Sequence, residues 1–339
     1  MMIRLISFSQ KGQLLAEDLE KKLREHEDEA NAMRCNDPLS LSEWTAQAFA
    51  AADALVFIGA CGIAVRAVSP YLRSKASDPA VIVMDETGSF AISLLSGHLG
   101  GANALTRHLA RLVGAQAVIT TATDREGVFA VDEWARQQNC RILDPYRIKG
   151  FSSRLLRGET AKIRSDYPIS GPIPAGVELT TSSDYQAKLS IYKNAADPED
   201  FVAIVPNILV LGVGCKKGTS VQTLENAFAH LLEKYSLYEE AFCQVCSIDL
   251  KVQEQGLLDF CRAHRLPLTC YCAQQLKEVS GEFTASSFVR QTTGVDNVCE
   301  RSAVLGSGGR LLFRKEVQSG ITMAAAIRAF TPDWNWQEV

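Results

Sequence analysis

Short apolar runs alternate with segments of helical period along the first third of the chain. Ile3 to Phe8 reads as a strand, Gly12 to Glu27 as a charged helix, Leu41 to Ala52 as a second helix, and Leu55 to Ile58 as a second strand. Pro79-Ala80 opens the run VIVMD, and FAISLLS follows as another strand. Leu105, Leu109 and Leu112 then recur at helical spacing before Ala117 to Ile119 resume a strand. Alternation of this kind predicts a mostly parallel sheet covered by helices. From Ala130 a short helix, AVDEWARQQ, leads into the turn-rich passage YPISGPIPAG and a strand-like stretch from Ala187 to Tyr192. After Pro206-Asn207 the strand ILVLGVG meets a glycine loop and a helix starting at Thr219-Ser220, where Thr219 and Gln222 fit a capping box. FCQVCSID, a helix near Gln253 to Ala263, and LPLTCY continue the alternation. The last quarter reads as a helix near Val298 to Leu305, a strand at Leu311 to Arg314 and a helix through Ala324 to Arg328.

The expected architecture is therefore multidomain α/β. An N-terminal unit over 1–129 and a C-terminal unit over 207–330, both three-layer α/β/α with mostly parallel sheets, flank a small middle region over 130–206. The length of 339 residues suits two or three cores. A formal net charge of −4 gives no bulk attraction to nucleic acid or a membrane surface. The opening MMIRLISFSQ turns polar too soon for a secretory signal, and the longest apolar run, VAIVPNILVLGVG, is too short to span a bilayer. A cytoplasmic protein with ten reduced cysteines is the expectation. Cys243 and Cys246 form a CxxC, but in a strand those positions face opposite sides, which suits core packing better than one shared metal.

Three glycine turns carry candidate chemistry. The first is Gly97-His98 with Gly100-Gly101-Ala102-Asn103, where a strand delivers a turn rich in bare amides and a helix start. His98 is its only ring, and an imidazole suits acid-base work near neutrality. Ser96 points the same way as His98 if the strand stays extended that far, while His108 falls on the apolar helix face. Glu86, Thr121, Thr123 and Asp124 fall at neighbouring strand ends and could complete a pocket, with Asp124 equally suited to capping a helix. The second turn, GACGIAVR, sets Gly62 before Arg66, either a carboxylate clamp or a surface arginine. The third, GVGCKKGTS, follows a strand and precedes a helix, but Lys216 and Lys217 come before Gly218, so neither a P-loop nor a dinucleotide fingerprint is satisfied. It remains an anion-friendly loop or a plain tight turn. Arg147, Lys149, Arg154, Arg157, Lys162 and Arg164 also accumulate in the middle region, as an anion-neutralising segment or a solvated face.

Taken together, GIAVR, DPAVIVMDETGSFAISLLSGHLGGAN and VITTATD closely resemble CbiG, the cobalt-precorrin-5A hydrolase family of anaerobic cobalamin biosynthesis. LGVGCKKGTS, SIDLKVQEQGL, GVDNVCERSA and KEVQSGIT resemble that family's C-terminal domain, so the likeness covers roughly 53–127 and most of 207–328. The resemblance implies a cobalt-bearing corrinoid substrate with a δ-lactone and a rim of carboxylates. Water opens the lactone, and the bridge carbon leaves with its methyl group as acetaldehyde. Such chemistry asks for oxyanion donors, a base and an electron sink, and the conjugated macrocycle with its cobalt can supply the sink. No protein-bound cofactor or metal is then expected.

On that reading His98, Ser96 and Glu86 are the catalytic candidates. Gly97, Gly100 and Gly101 supply turn amides, and Asn103 orients a substrate oxygen. Gly62, Arg66, Thr121, Thr123, Asp124, Gly214, Lys216, Lys217, Lys251, Glu254 and Glu300 make up the remaining substrate-binding set, although the motif residues Lys251, Glu254, Glu300 and Lys315 could equally serve packing. The expected partners are the small-molecule corrinoid and neighbouring cobalamin-pathway methyltransferases, with no nucleic acid or membrane, and a homo-oligomer is compatible with the reading. The rival expectations are a non-catalytic corrinoid carrier, a nicotinamide-dependent oxidoreductase and a cobalt chelatase.

Overall fold

The computed structural model describes residues 1–74, 77–97, 100–121 and 127–336. Its strands form three separate sheets. In the first unit, β1 (Met2–Ser7), β2 (Glu29–Arg34), β3 (Ala54–Ile58) and β4 (Ala80–Met84) lie parallel in the order β2-β1-β3-β4. Next to β4, β5 (Phe90–Leu95) runs antiparallel, and β6 (Gln116–Val118) follows parallel to β5. Helix α1 (Gln10–Glu25) covers one face through Ala16, Leu19 and Leu23, joined by Leu105 and Leu109 of α4 (Ala102–Val113). On the other face, Trp44 and Ala48 of α2 (Leu41–Ala51) and Ala64 and Val68 of α3 (Cys61–Val68) pack on Ile6, Leu55 and Phe57. Full burial of the Leu, Ile, Val and Phe side chains contributes about 1.5–3 kcal/mol each. The central strands β3 and β4 are buried at every position, which explains their unbroken apolar runs. Edge strand β2, EANAMR, is half polar and carries no such signal.

The middle unit is more than a connector. It opens with α5 (Val131–Gln137), and its sheet has the order β7-β11-β10-β8-β9, built from β7 (Cys140–Ile142), β8 (Ala161–Ser165), β9 (Val177–Leu179), β10 (Ala187–Leu189) and β11 (Val202–Pro206). Helix α6 (Ile148–Leu156) supplies Phe151 and Leu155 to its core. Four of these strands are absent from the sequence reading, because runs of three to five residues give too little periodicity. The basic segment is largely neutralised within the fold. Arg157 meets Glu159 at 2.7 Å, Lys162 meets Asp184 at 2.7 Å, and Arg147 lies near Asp144 and Asp200.

Pro206-Asn207 is a crossover between sheets: β11 ends the middle sheet and β12 (Leu209–Gly214) begins the third. There β12, β13 (Phe242–Ile248) and β14 (Leu268–Tyr271) are parallel, while β16 (Ile321–Ile327) and β15 (Arg310–Gln318) complete the order β14-β13-β12-β16-β15 as an antiparallel pair. The predicted helix over 324–328 is thus a strand. ITMAAAI is rich in alanine, yet it is central in the sheet, and Ala324, Ala325 and Ala326 are fully buried. Tertiary burial overrides the helical propensity of alanine here.

Helices α7 (Val221–Lys234) and α8 (Gln255–Ala263) cover one face with Leu224, Phe228, Leu231, Leu257 and Phe260. Ser220, not Thr219, caps α7 by accepting from the Thr223 N–H. Beyond α9 (Ala273–Glu278) and α10 (Ser287–Thr293), α11 (Cys299–Ser307) packs so closely on β12 that a Cβ at Gly212 would collide with the Cys299 carbonyl. Cys243 donates to the Leu209 carbonyl at 3.2 Å, whereas Cys246 is buried beside Gly306.

The chain then returns to the middle unit. Trp334 stacks on Trp134 with ring centroids 5.2 Å apart, and the Trp134 indole N–H donates to the Asp333 carbonyl at 2.6 Å. Residues 330–336 therefore complete the middle core, beyond the expected limit of the C-terminal unit. Among the described residues no helix is long and apolar enough to cross a membrane.

Candidate active site

The reversal of β5 decides where the first glycine turn lies. Leu95 pairs with Val81 and Ala91 with Met84, so β5 ends at the edge of the sheet where β1, β3 and β4 begin. The strand stops at Leu95, and Ser96 takes a φ of 56°, so the extended geometry that would align Ser96 with position 98 is not adopted. The Ser96 hydroxyl instead donates to the Asp78 carbonyl at 3.0 Å. His98, Thr123 and Asp124 lie outside the described residues.

The turn is tightly packed. The Ala102 and Asn103 N–H groups donate to the Ser96 and Gly97 carbonyls at 3.1 and 2.9 Å. A Cβ on Gly97 would come 2.8 Å from the Asn103 side-chain oxygen, and one on Gly100 would collide with Ser96. Gly101 has a φ of 80°, which glycine adopts without strain. Asn103 is 1% exposed; its Oδ1 accepts from Ser93 Oγ at 2.7 Å, and its Nδ2 donates to Thr121 Oγ1 at 3.2 Å. It therefore braces β5, the turn and the segment after β6 from inside, which is a different task from presenting its amide to a ligand.

Beside this turn opens a cleft of about 770 Å³, within the range of small-molecule sites. Gly100 and Gly101 line it together with His26, His108, Asp53 and Arg136. The His26 and His108 rings meet edge to face at 5.4 Å. Arg136 comes from α5 of the middle unit, and its side chain passes over Gly101. Asp53 accepts from the Met2 N–H at 2.7 Å. Arg136 and His26 went unnoticed in the sequence, since neither belongs to the glycine motif and only the fold brings them to it.

Glu86, Gly62 and Arg66 stand at the opposite edge. Glu86 lies in the β4–β5 turn, where Asp85 accepts from the Phe90 N–H at 2.6 Å. Burial alone would raise the Asp85 carboxyl, but bonds from Thr87, Phe90 and Ser89 hold it below its ordinary value. Gly62 and Arg66 lie on α3 after β3, and Arg66 is exposed with its guanidinium on the Gly62 carbonyl at 3.2 Å. The five residues of β4 separate the two edges by about 16 Å at ~3.3 Å per residue. Glu86 and Arg66 thus stand across the sheet from Gly97, Gly100 and Gly101.

The C-terminal motifs meet at the carboxyl edge of the third sheet. Gly214 ends β12 where a Cβ would press on Thr322, and Lys216 and Lys217 follow on an exposed loop. Glu254 Oε1 accepts from the Gly218 N–H at 2.7 Å, and its Oε2 accepts from Lys251 Nζ at 2.9 Å. Burial opposes charge on Glu254, yet these bonds outweigh it and lower its pKa. A Cβ on Gly256 would strike the Thr219 carbonyl, so the 251–256 segment sits directly on the loop. Lys251 and Glu254 therefore hold the lysine loop in place and spend their own charges on each other.

Glu300 is fully buried. It accepts from the Thr284 N–H at 2.7 Å, the Thr284 hydroxyl at 2.8 Å and the Lys315 N–H at 2.7 Å. Both of its carboxylate oxygens are committed to main-chain and side-chain donors, which makes it a clamp rather than a ligand contact. Thr284 lies outside every motif, so no sequence signal marks this clamp. No group of three His, Cys, Asp or Glu side chains among the described residues could hold a metal ion.

Fold and turns together define a three-sheet α/β protein with a cleft at a glycine turn and a separate lysine loop. Residues 43–124 match the family described as cobalamin synthesis G N-terminal, and 209–326 match cobalamin synthesis G C-terminus. The chain is 37% identical over 294 residues to a cobalt-precorrin-5A hydrolase of Salmonella typhimurium, covering 83% of this chain and 84% of that one. It is 30% identical over 292 residues to one of Priestia megaterium, covering 80% and 78%. A solved cobalamin biosynthesis protein G homolog of Sulfolobus solfataricus is similar at 23% identity with a TM-score of 0.43, covering 96% of this chain and 97% of that one. The chain belongs to the cobalamin synthesis G family.

Proposed function

We propose that this protein is a cobalt-precorrin-5A hydrolase of anaerobic cobalamin biosynthesis. The observation that carries this reading is the 37% identity to the Salmonella typhimurium protein of that name across 83% of the chain, with both family segments present. In the proposed reaction water adds to the lactone carbonyl of the corrinoid and the ring C–O bond opens. The bridge carbon and its methyl group then depart as acetaldehyde, leaving cobalt-precorrin-5B. The electron pair of the broken C–C bond passes to the conjugated macrocycle, whose cobalt arrives with the substrate, so the reaction as written calls on no cofactor of the protein.

The chemistry is assigned to the 97–101 turn and its cleft. His98 is the proposed acid-base group, and the amides around Gly97, Gly100 and Gly101 are the proposed donors to the oxyanion. Asn103 and Ser96 hold the turn in shape, and Glu86 has no part because it stands at the far edge of the sheet. Arg136, which lines the cleft beside Gly101, is the proposed contact for a carboxylate of the corrinoid rim.

The test is anaerobic incubation with cobalt-precorrin-5A, trapping acetaldehyde while the corrinoid is followed by mass and absorbance. The native protein is expected to release one acetaldehyde per lactone opened, and His98→Ala to lower kcat by about 10²–10⁴. Absence of acetaldehyde from the native protein would overturn the hydrolase reading. Full activity in His98→Ala would remove His98 from the mechanism alone.

A further inference from the structure

The turn over 249–252 at the carboxyl edge of the third sheet has its polarity inside out. Lys251 is 12% exposed by side chain and turned inward onto Glu254, whereas its neighbours Leu250 and Val252 are 64% and 57% exposed. Soluble proteins scatter single apolar side chains over their surface, but here two of them flank a charge that the fold has withdrawn. The lysine loop lies directly alongside, because Glu254 bonds the Gly218 N–H at 2.7 Å and Lys251 at 2.9 Å at once. Lys216 and Lys217 are exposed on that loop, and the Lys216 stem runs against Gly320 of the β15–β16 turn. Asp249, also exposed, is the acidic group of the same turn; with Lys251 and Glu254 cancelling, the edge carries Lys216 and Lys217 against Asp249.

We infer that Leu250 and Val252, with Lys216 and Lys217, form a docking platform for the corrinoid, apolar side chains under the flat face of the macrocycle and ammonium groups at its carboxylate rim. This deepens the proposed function and rests on its substrate class. Charge complementarity selects the occupant: an apolar ligand alone would not need the lysines, and a simple anion would not need the exposed leucine and valine. Lys251 and Glu254 act as positioning residues, since they fix the lysine loop beside the apolar pair without presenting charge themselves. Asp249–Lys251 form a 3₁₀ turn that directly follows β13, so Leu250 and Val252 are fixed at the edge of the sheet.

The experiment titrates the full chain with a stable cobalt-corrin heptacarboxylate as probe, following its visible absorbance at low and at high salt. Two double variants are compared with the native protein: Lys216→Gln with Lys217→Gln, and Leu250→Ser with Val252→Ser. All four side chains are exposed, and Arg157→Gln on the middle unit serves as a surface control. The platform predicts that each double variant raises Kd by about tenfold or more, with the lysine effect shrinking at high salt and the control unchanged. Weakening in the lysine pair alone would overturn the platform in favour of a plain anion site, and unchanged binding in both pairs would overturn it outright. Acetaldehyde release judges the hydrolase reading separately, because the probe carries no lactone and its binding does not depend on turnover.

Discussion

Asn103 is the residue whose reading changes most between sequence and structure. In GGAN it stands after two glycines at a helix start, a position that suits ligand binding, yet it is buried and bonded to Ser93 and Thr121. Asn103→Ala removes both of these bonds from the interior of the unit. A loss of about 2–3 kcal/mol is expected from denaturant unfolding, with little change in KM. Unaltered stability with a raised KM would return Asn103 to the substrate. Glu300 teaches the same lesson: a charged motif residue is identified easily, but whether its oxygens face a ligand or Thr284 depends on contacts across 16 residues of chain. The glycines were more legible, because a missing Cβ at Gly97 or Gly100 marks close approach whatever it is that approaches.

Elements were readable where periodicity was long and hidden where strands were short or reversed. The α1, α4, α7 and α8 helices and the buried strands β3, β4, β12 and β13 stand out in the apolar pattern. The direction of β5 does not, and that reversal alone separates Glu86 and Arg66 from the 97–101 turn. Where α7, α8 and the turn over 239–241 converge, His264 contacts Glu239 at 2.5 Å and Glu225 at 2.7 Å through its two ring nitrogens. Burial disfavours the charged ring, but the two carboxylates outweigh it and raise its pKa above the ordinary 6.5. The contribution of this bridge is therefore fully present below pH 6.5 and is lost as pH rises through the folded-state value. Denaturant midpoints measured across that range should fall with pH in the native protein, and the slope should flatten in His264→Gln. A native-minus-variant difference that is constant with pH would show that the pKa of the ring does not shift on folding.

Across the whole molecule, the sequence indicated three parts but not how they are tied. The middle unit reads in the sequence only as a small middle region, because its strands are brief and its aromatic partners are remote. Phe129, Trp134 and Trp334 close its core, and the Trp134–Asp333 bond spans 199 positions. Trp334→Ala should cost about 3–5 kcal/mol within this unit. Hydrogen exchange is the measurement, with faster exchange expected over 131–137 and 161–165 and unchanged protection over 54–58. Uniform loosening of all three sheets would mean that the units unfold as one.

The same return of the chain sets an order on biosynthesis. A growing polypeptide can lay down the first sheet as soon as its strands emerge, but the middle sheet then waits, its tryptophan uncovered, while the entire third unit is made. Only when 330–336 leave the ribosome can Trp134 find its partner. The second part of the protein to be translated is the last to be finished.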